Sequence, residues 1–204
     1  MFDTFSLPNW TILGSEIPED IYNSIMSEIK EIENEGSPNK WNKHLAGAIE
    51  KEYELIKSRS SFVPFLKKMA TEYSHHLRKI KDIQFEVCEL WVNYQQKNEY
   101  NPIHNHSGVY SFVLWMEIPF KHLNECSVKN TVNSNSTHLA SSFEFVYTDI
   151  LGKVSTHTLP VEKGWEGRII MFPAQLHHTV YPFYTSDGYR ISVSGNLVIK
   201  KLEE

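Results

Sequence analysis

Cysteine is nearly missing from this chain: 204 residues carry only Cys88 and Cys126, far apart and in no metal-type spacing. That scarcity argues against a disulfide framework and a Cys-based zinc site, and it fits a reducing, intracellular compartment. No run approaches the ~20 apolar residues that a membrane span needs. The opening Met1-Phe-Asp-Thr-Phe-Ser has neither a basic segment nor an apolar stretch of the secretory kind, so a soluble, cytoplasmic protein without a membrane partner is expected. Positive charge is also in short supply. The formal net charge is -5, and lysines cluster only briefly, as at Lys67-Lys68 and Lys200-Lys201, so no general basic field offers itself to a nucleic acid. Internal repeats, low-complexity tracts, a phosphate-binding glycine loop, a dinucleotide fingerprint and a Ser-His-Asp set are lacking as well.

Apolar residues make up 41% of the chain, with Trp 5, Tyr 10 and Phe 11, enough for one core. One domain over 1–204 is expected, with supporting helices in 1–80 and a β core in 81–204. Ile17, Ile21, Ile25, Ile29 and Ile32 recur at helical spacing, Pro18 suits a first turn, and Glu35-Gly36-Ser37-Pro38 stops the run. A second helical stretch is expected from about His44 to Lys57. A third begins near Ser60-Ser61 and puts Phe62, Phe65, Met69, Tyr73 and His76 on one side, a packing face.

From Ile83 the period changes to two. Ile83 to Tyr94 alternates and is rich in β-branched and aromatic residues. Further strands are expected at Val109–Glu117, Ser142–Thr148, Val154–Leu159, Gly167–Phe172, His178–Pro182 and Tyr189–Ile199, with turn signals between several of them. Short strands after a helical start predict an antiparallel sandwich or barrel with helices against one face. The polar stretch Lys121–Ser141 reads as a surface excursion, with a substrate-binding lid as the alternative.

Histidine supplies the chemistry. Side chains two apart on extended backbone point the same way, so His104-Asn-His106 can offer two imidazoles to one ion. Downstream, an apolar strand runs into Pro173 and a second begins at His177-His178. Adjacent residues on a strand face opposite ways; His178 shares its face with Val180 and is the inward candidate, although a one-residue register error would exchange it with His177. Arg190-Ile-Ser192 then puts a guanidinium and a hydroxyl on one strand face, a pair suited to a carboxylate.

These segments resemble the Fe(II)- and 2-oxoglutarate-dependent oxygenase superfamily, and more closely its prolyl-hydroxylase-like branch, including oxygenases of marine bacteria and phages. The matching stretches are Tyr94 to His104-Asn-His106, Gly167-Arg-Ile-Ile-Met-Phe-Pro ahead of His178, and Arg190-Ile-Ser192; Leu45-Ala46-Gly47 matches less specifically. The resemblance implies a mainly β fold with N-terminal helices and a double-stranded β-helix (jelly-roll, cupin-like) core. It implies metal ligands at His104, His106 and His178. It places 2-oxoglutarate on Arg190, Ser192 and Tyr94, with Asn93 and Trp91 near enough to line the same pocket. The cofactors implied are Fe(II), 2-oxoglutarate as co-substrate and ascorbate as reductant. The reaction implied is hydroxylation of a C–H bond, of a peptidyl proline or another amino-acid side chain, in a small-molecule or peptide substrate.

One departure matters. The superfamily ordinarily joins two histidines to one carboxylate, whereas the second position here is His106. Three neutral imidazoles leave the metal with one more unit of positive charge. A different register starts at His106 and meets Gly108, the gap found in halogenating relatives. Two other functions also remain open: a cupin-like binding module without oxygenase activity, and a three-histidine dioxygenase that uses Arg190 on its own substrate and needs no 2-oxoglutarate.

Overall fold

A computed structural model describes residues 11–35, 48–78, 83–134 and 136–200. In order these contain β1 (Leu13–Glu16), α1 (Glu19–Glu35), β2 (Lys51–Glu54), α2 (Arg59–Arg78), β3 (Phe85–Gln95), β4 (Asn101–His104), β5 (Tyr110–Glu117), α3 (His122–Cys126), β6 (Phe143–Thr148), β7 (Val154–Leu159), β8 (Arg168–Pro173), β9 (His177–Val180) and β10 (Arg190–Ile199). All strand pairs are antiparallel. They form a six-stranded sheet, β1-β8-β5-β10-β3-β2, and a four-stranded sheet, β4-β9-β6-β7. The two face one another, as Phe143 and Phe145 of the smaller sheet meet Trp115 and Phe172 of the larger. This is the jelly-roll architecture the sequence led us to expect, mainly β with helices before it.

Strand alternation gives the larger sheet two distinct faces. Outward, Leu90, Val92, Tyr94, Leu114, Ile191 and Val193 join one apolar core with Ile25 and Ile29 of α1 and Phe62 and Leu66 of α2. Acidic Glu19 and Asp20 occupy the first turn of α1, where they complement the helix dipole. Inward, the face divides. Val113, Trp115, Ile170 and Phe172 pack against the smaller sheet, while β10, β3 and β2 present polar residues to a cavity between the sheets. The cavity exists because only half of that inner face is apolar enough to close.

The stretch His44–Lys57 is not the expected helix. Its described part contains β2, whose Glu52 lies opposite Asn93 and whose Tyr53 lies opposite Val92; backbone pairing to β3 overrides local helical preference. Leu45-Ala46-Gly47 lies outside the described residues. Lys121–Ser141 is more than a surface excursion, since it contains α3 and ends in fully buried Ala140 and Ser141. β10 and β3 approach closely at Gly195, where an added Cβ would sit 2.4 Å from the Glu89 carbonyl oxygen and 2.7 Å from the Phe112 ring. Among the described residues, no helix is long and apolar enough to cross a membrane.

Candidate metal centre

Three imidazoles converge at one end of the cavity. β4 pairs with β9 so that His104 stands directly opposite His178. His106 follows just past the end of β4, its backbone N–H donating to Ala174 O at 2.9 Å. Each ring offers one nitrogen, and these atoms lie within 4.8 Å of one another. Ring centroids are 4.3 Å apart for His104–His178, 4.9 Å for His104–His106 and 5.1 Å for His106–His178. His178 is buried and His177 exposed, so strand parity turns the former inward.

Hydrogen bonds fix how these rings present themselves. His104 Nδ1 lies 2.7 Å from Pro102 O, and His178 Nδ1 lies 3.0 Å from Leu176 O. A carbonyl oxygen only accepts, so each Nδ1 carries the proton and each Nε2 keeps a lone pair for an ion. Phe143 stacks on His178 at 5.3 Å and 14°, holding the ring in plane. Burial pushes all three pKa values down: His106 to about 4, His104 below its ordinary value and His178 well below it, with neighbouring imidazoles adding to the effect. Neutral imidazole is the form that binds a metal. Gly108, the gap in the alternative register, has φ 102°, and a Cβ there would be 2.8 Å from Leu197 O. Backbone geometry therefore explains that glycine without a ligand role.

At the other end of the cavity lies Arg190, 3% exposed. Its Nε and one terminal nitrogen donate to Gln95 Oε1 at 2.8 and 2.5 Å. Ser141 O accepts at 2.6 Å and Tyr181 O at 2.9 Å. All four bonds go to neutral oxygens. Burial pushes the guanidinium down to about 9 while the buried Glu125 carboxylate pulls the other way, so it stays cationic at neutral pH. A buried cation held by neutral acceptors suits a ligand carboxylate, which would bring the compensating charge. Ser192 lines the same cavity, two residues along β10.

Tyr94 does not belong to this group. It occupies the opposite face of β3, donates its hydroxyl to Ile29 O of α1 at 3.0 Å and packs edge-on to Tyr53. The period-2 rule decides it: Trp91, Asn93 and Gln95 face inward, so Tyr94 cannot. Trp91 and Asn93 do line the cavity, joined by Trp91 Nε1–H to Asn93 Oδ1 at 3.0 Å. Gln95, which holds the guanidinium, escaped the sequence reading, although it shares parity with Asn93. Glu52 and Glu89 also line the cavity, whose volume is about 210 Å³.

The donor set fits Fe(II), which accepts imidazole nitrogen, and the buried guanidinium fits the distal carboxylate of 2-oxoglutarate. Comparison with known proteins agrees. The family model described as "Putative 2OG-Fe(II) oxygenase" matches residues 89–196, which include all three histidines and Arg190. The chain belongs to that 2OG-Fe(II) oxygenase family and is thus a dioxygenase whose cofactors are Fe(II) and 2-oxoglutarate. No curated protein sequence matches it.

Among solved structures, a Pseudomonas putida prolyl-4-hydroxylase is similar over 94% of this chain and 93% of its own, with TM-score 0.59 and 12% identity. A 2-oxoglutarate complex of a viral collagen prolyl hydroxylase from Paramecium Bursaria Chlorella virus-1 is similar over 91% and 94%, with TM-score 0.51 and 10% identity. The non-heme alpha ketoglutarate dependent epimerase SnoN of nogalamycin biosynthesis is similar over 92% and 76%, with TM-score 0.58 and 10% identity. At such low identity these likenesses establish the shared fold alone.

Proposed function

We propose that this protein hydroxylates a C–H bond of an amino-acid side chain, free or in a peptide, while 2-oxoglutarate is decarboxylated to succinate. The observation that carries the reading is the placement of three inward imidazoles and a buried guanidinium in one cavity. His104 and His178 would hold Fe(II) through Nε2, and His106 through one of its ring nitrogens. Arg190 would bind the distal carboxylate of 2-oxoglutarate, with the Ser192 hydroxyl as a further partner. Once bound, metal and co-substrate supply dioxygen activation and hydroxyl insertion. The remaining steps belong to the chain's own groups. Gln95 orients the guanidinium, Leu176 O and Pro102 O fix the imidazole tautomers, and Phe143 and Phe172 keep water from the His178 side. Ascorbate is the reductant that would keep the iron ferrous. A peptidyl proline is one candidate substrate, since two proteins of this fold carry that activity in their names. The cytoplasm, where the two cysteines would stay reduced, is the setting we propose.

His106 in place of an acid favours a second reading, a three-histidine dioxygenase that oxidises an Arg190-bound carboxylate without 2-oxoglutarate. One experiment separates the two. Fe(II) is titrated into the protein under argon with and without 2-oxoglutarate, watching for the visible metal-to-ligand charge-transfer band. Air and ascorbate are then admitted and succinate is measured. The proposal expects the band and succinate only with 2-oxoglutarate present; no band, or oxygen uptake without 2-oxoglutarate, would overturn it.

A further inference from the structure

Arg190 keeps little of itself free for a ligand. Four of its five N–H groups already donate, to Gln95, Ser141 and Tyr181; the fifth shares its nitrogen with the bond to Ser141 O. The rings of Phe120 and Phe183 lie 5.7 and 5.8 Å from the guanidinium carbon and fill more of its surroundings. A carboxylate has two oxygens, and the guanidinium can serve one of them. Tyr94, which the resemblance offered as a further donor, points to the other face of β3. Ser192 brings a hydroxyl that already accepts from Asn93 Nδ2 at 3.3 Å.

One carboxamide in the cavity wall has no partner. Asn101 is half-buried and lines the cavity, yet its buried Oδ1 accepts no hydrogen bond among the described residues. Its backbone is firmly placed. Asn101 O accepts from Thr179 Oγ1 at 2.8 Å, and just before β4 Gln95 Nε2 donates to Glu99 O at 2.6 Å. Asn101 and His104 are three apart and would face opposite ways on a regular strand. The β4–β9 register shifts between them, so that Asn101 lies opposite Val180, His104 lies opposite His178, and both reach the cavity. Val180 is two residues past His178 and one before Tyr181, whose carbonyl holds Arg190. In register, the idle amide therefore falls between the imidazoles and the guanidinium, along the span that 2-oxoglutarate has to bridge.

We propose that Asn101 completes the 2-oxoglutarate clamp, its side-chain Nδ2–H donating to the distal carboxylate oxygen that the guanidinium leaves unserved. The inference rests on the cavity being the co-substrate site. The oxygen and nitrogen ends of a carboxamide are alike in size, so a half-turn about its last bond exchanges them in the space they already fill. That turn brings Nδ2 to the place of the orphaned Oδ1. An anion in the cavity favours it, since a carboxylate offers acceptors alone. A buried amide without partners destabilises the fold until a ligand supplies them.

The test uses the full chain with Fe(II) under argon. It is titrated with 2-oxoglutarate or with 2-oxopentanoate, the same keto acid without the distal carboxylate, while the charge-transfer band reports binding. Asn101→Ala should weaken 2-oxoglutarate binding by about tenfold to a hundredfold, as expected for one hydrogen bond to a charged group. Binding of 2-oxopentanoate should weaken by less than threefold. Because the lost side chain holds nothing in the protein, the ligand-free variant should melt no lower than the parent. A structural role would instead lower the melting temperature and weaken both keto acids alike. Asn101→Asp keeps the size but cannot donate when ionised; it should weaken 2-oxoglutarate at least as much, and it serves should the first variant fold poorly. Binding of 2-oxoglutarate by both variants within threefold of the parent, or an equal loss for the two keto acids, would overturn the inference. No band with the parent overturns the co-substrate reading and this inference with it; a parent band whose titration the variants leave unmoved overturns this inference alone.

Discussion

Replacing Arg190 with methionine removes the buried cation from the cavity wall while keeping most of the side chain's length. Four of the five guanidinium N–H groups already donate to Gln95, Ser141 and Tyr181, so a carboxylate can accept the fifth, one charge-assisted hydrogen bond worth about 1.5–3 kcal/mol. Its loss predicts a 2-oxoglutarate affinity weaker by about 1.5–3 kcal/mol, on the order of tenfold to a hundredfold. The substitution also strips donors from Gln95 Oε1, Ser141 O and Tyr181 O. Each buried acceptor left unpaired costs about 1–3 kcal/mol, less where water reaches it. Binding must therefore be measured well below the melting temperature, with circular dichroism confirming that the variant is folded. Arg190→Lys retains the charge but not the planar set of donors that Gln95, Ser141 and Tyr181 hold in place, so it should fall between the variant and the parent. The imidazoles sit at the β4–β9 pair of the other sheet, so Zn(II) affinity, read by competition with a chromophoric chelator, should change less than threefold. A folded Arg190→Met protein that binds 2-oxoglutarate within threefold of the parent would refute the clamp, as would an equal loss of metal affinity.

Three further perturbations probe the structure around the site. Tyr94→Phe should leave 2-oxoglutarate affinity within twofold while lowering stability by about 1 kcal/mol, the worth of its bond to Ile29 O; a tenfold loss of affinity would put the tyrosine back in the pocket. Glu28 accepts from the backbone N–H groups of Ile56, Lys57 and Ser58 and from the Ser58 hydroxyl; burial raises its pKa, but these bonds outweigh it and the net shift is downward. Its contribution is therefore complete above the ordinary carboxylate range and lost as pH falls through and below it. Urea unfolding should show Glu28→Gln costing about 1–3 kcal/mol at pH 7, with the gap to the parent narrowing in acid; a gap that does not depend on pH contradicts the linkage. Gly195→Ala forces a methyl against the Glu89 carbonyl and should cost about 1–3 kcal/mol by thermal denaturation; an unchanged melting temperature would mean that β10 and β3 are not so close.

Legibility in the sequence followed strand length and burial pattern. The strand ending at Glu117 stands out as a nearly unbroken apolar run, buried at seven of its eight positions, and Val154–Leu159 as a run rich in β-branched residues after the Leu151-Gly152-Lys153 turn. β1 and β2 have four residues each and give period analysis little to work on. β2 is misleading as well, for its one buried side chain is Glu52, and a polar residue pointing inward inverts the usual signal. The histidines could be found because the His-x-His spacing and the parity of His178 with Val180 are local facts. Gln95 and Glu52 reach the cavity, and the Ser141 carbonyl reaches the guanidinium, only through long-range contacts: Gln95 lies opposite Arg190 and Glu52 opposite Asn93. No local pattern encodes that register. Tyr94 was assigned by resemblance against its own parity, and parity prevailed.

The two flanking strands of the larger sheet both come from sequence that precedes the family-matched stretch 89–196. A fragment trimmed to that stretch would bear every metal-binding imidazole, yet it would display raw hydrogen-bonding margins along β8 and β3, an invitation to fibre-like self-association. It would also leave Glu52 behind. The metal ligands and one wall of their cavity thus come from different lengths of polypeptide.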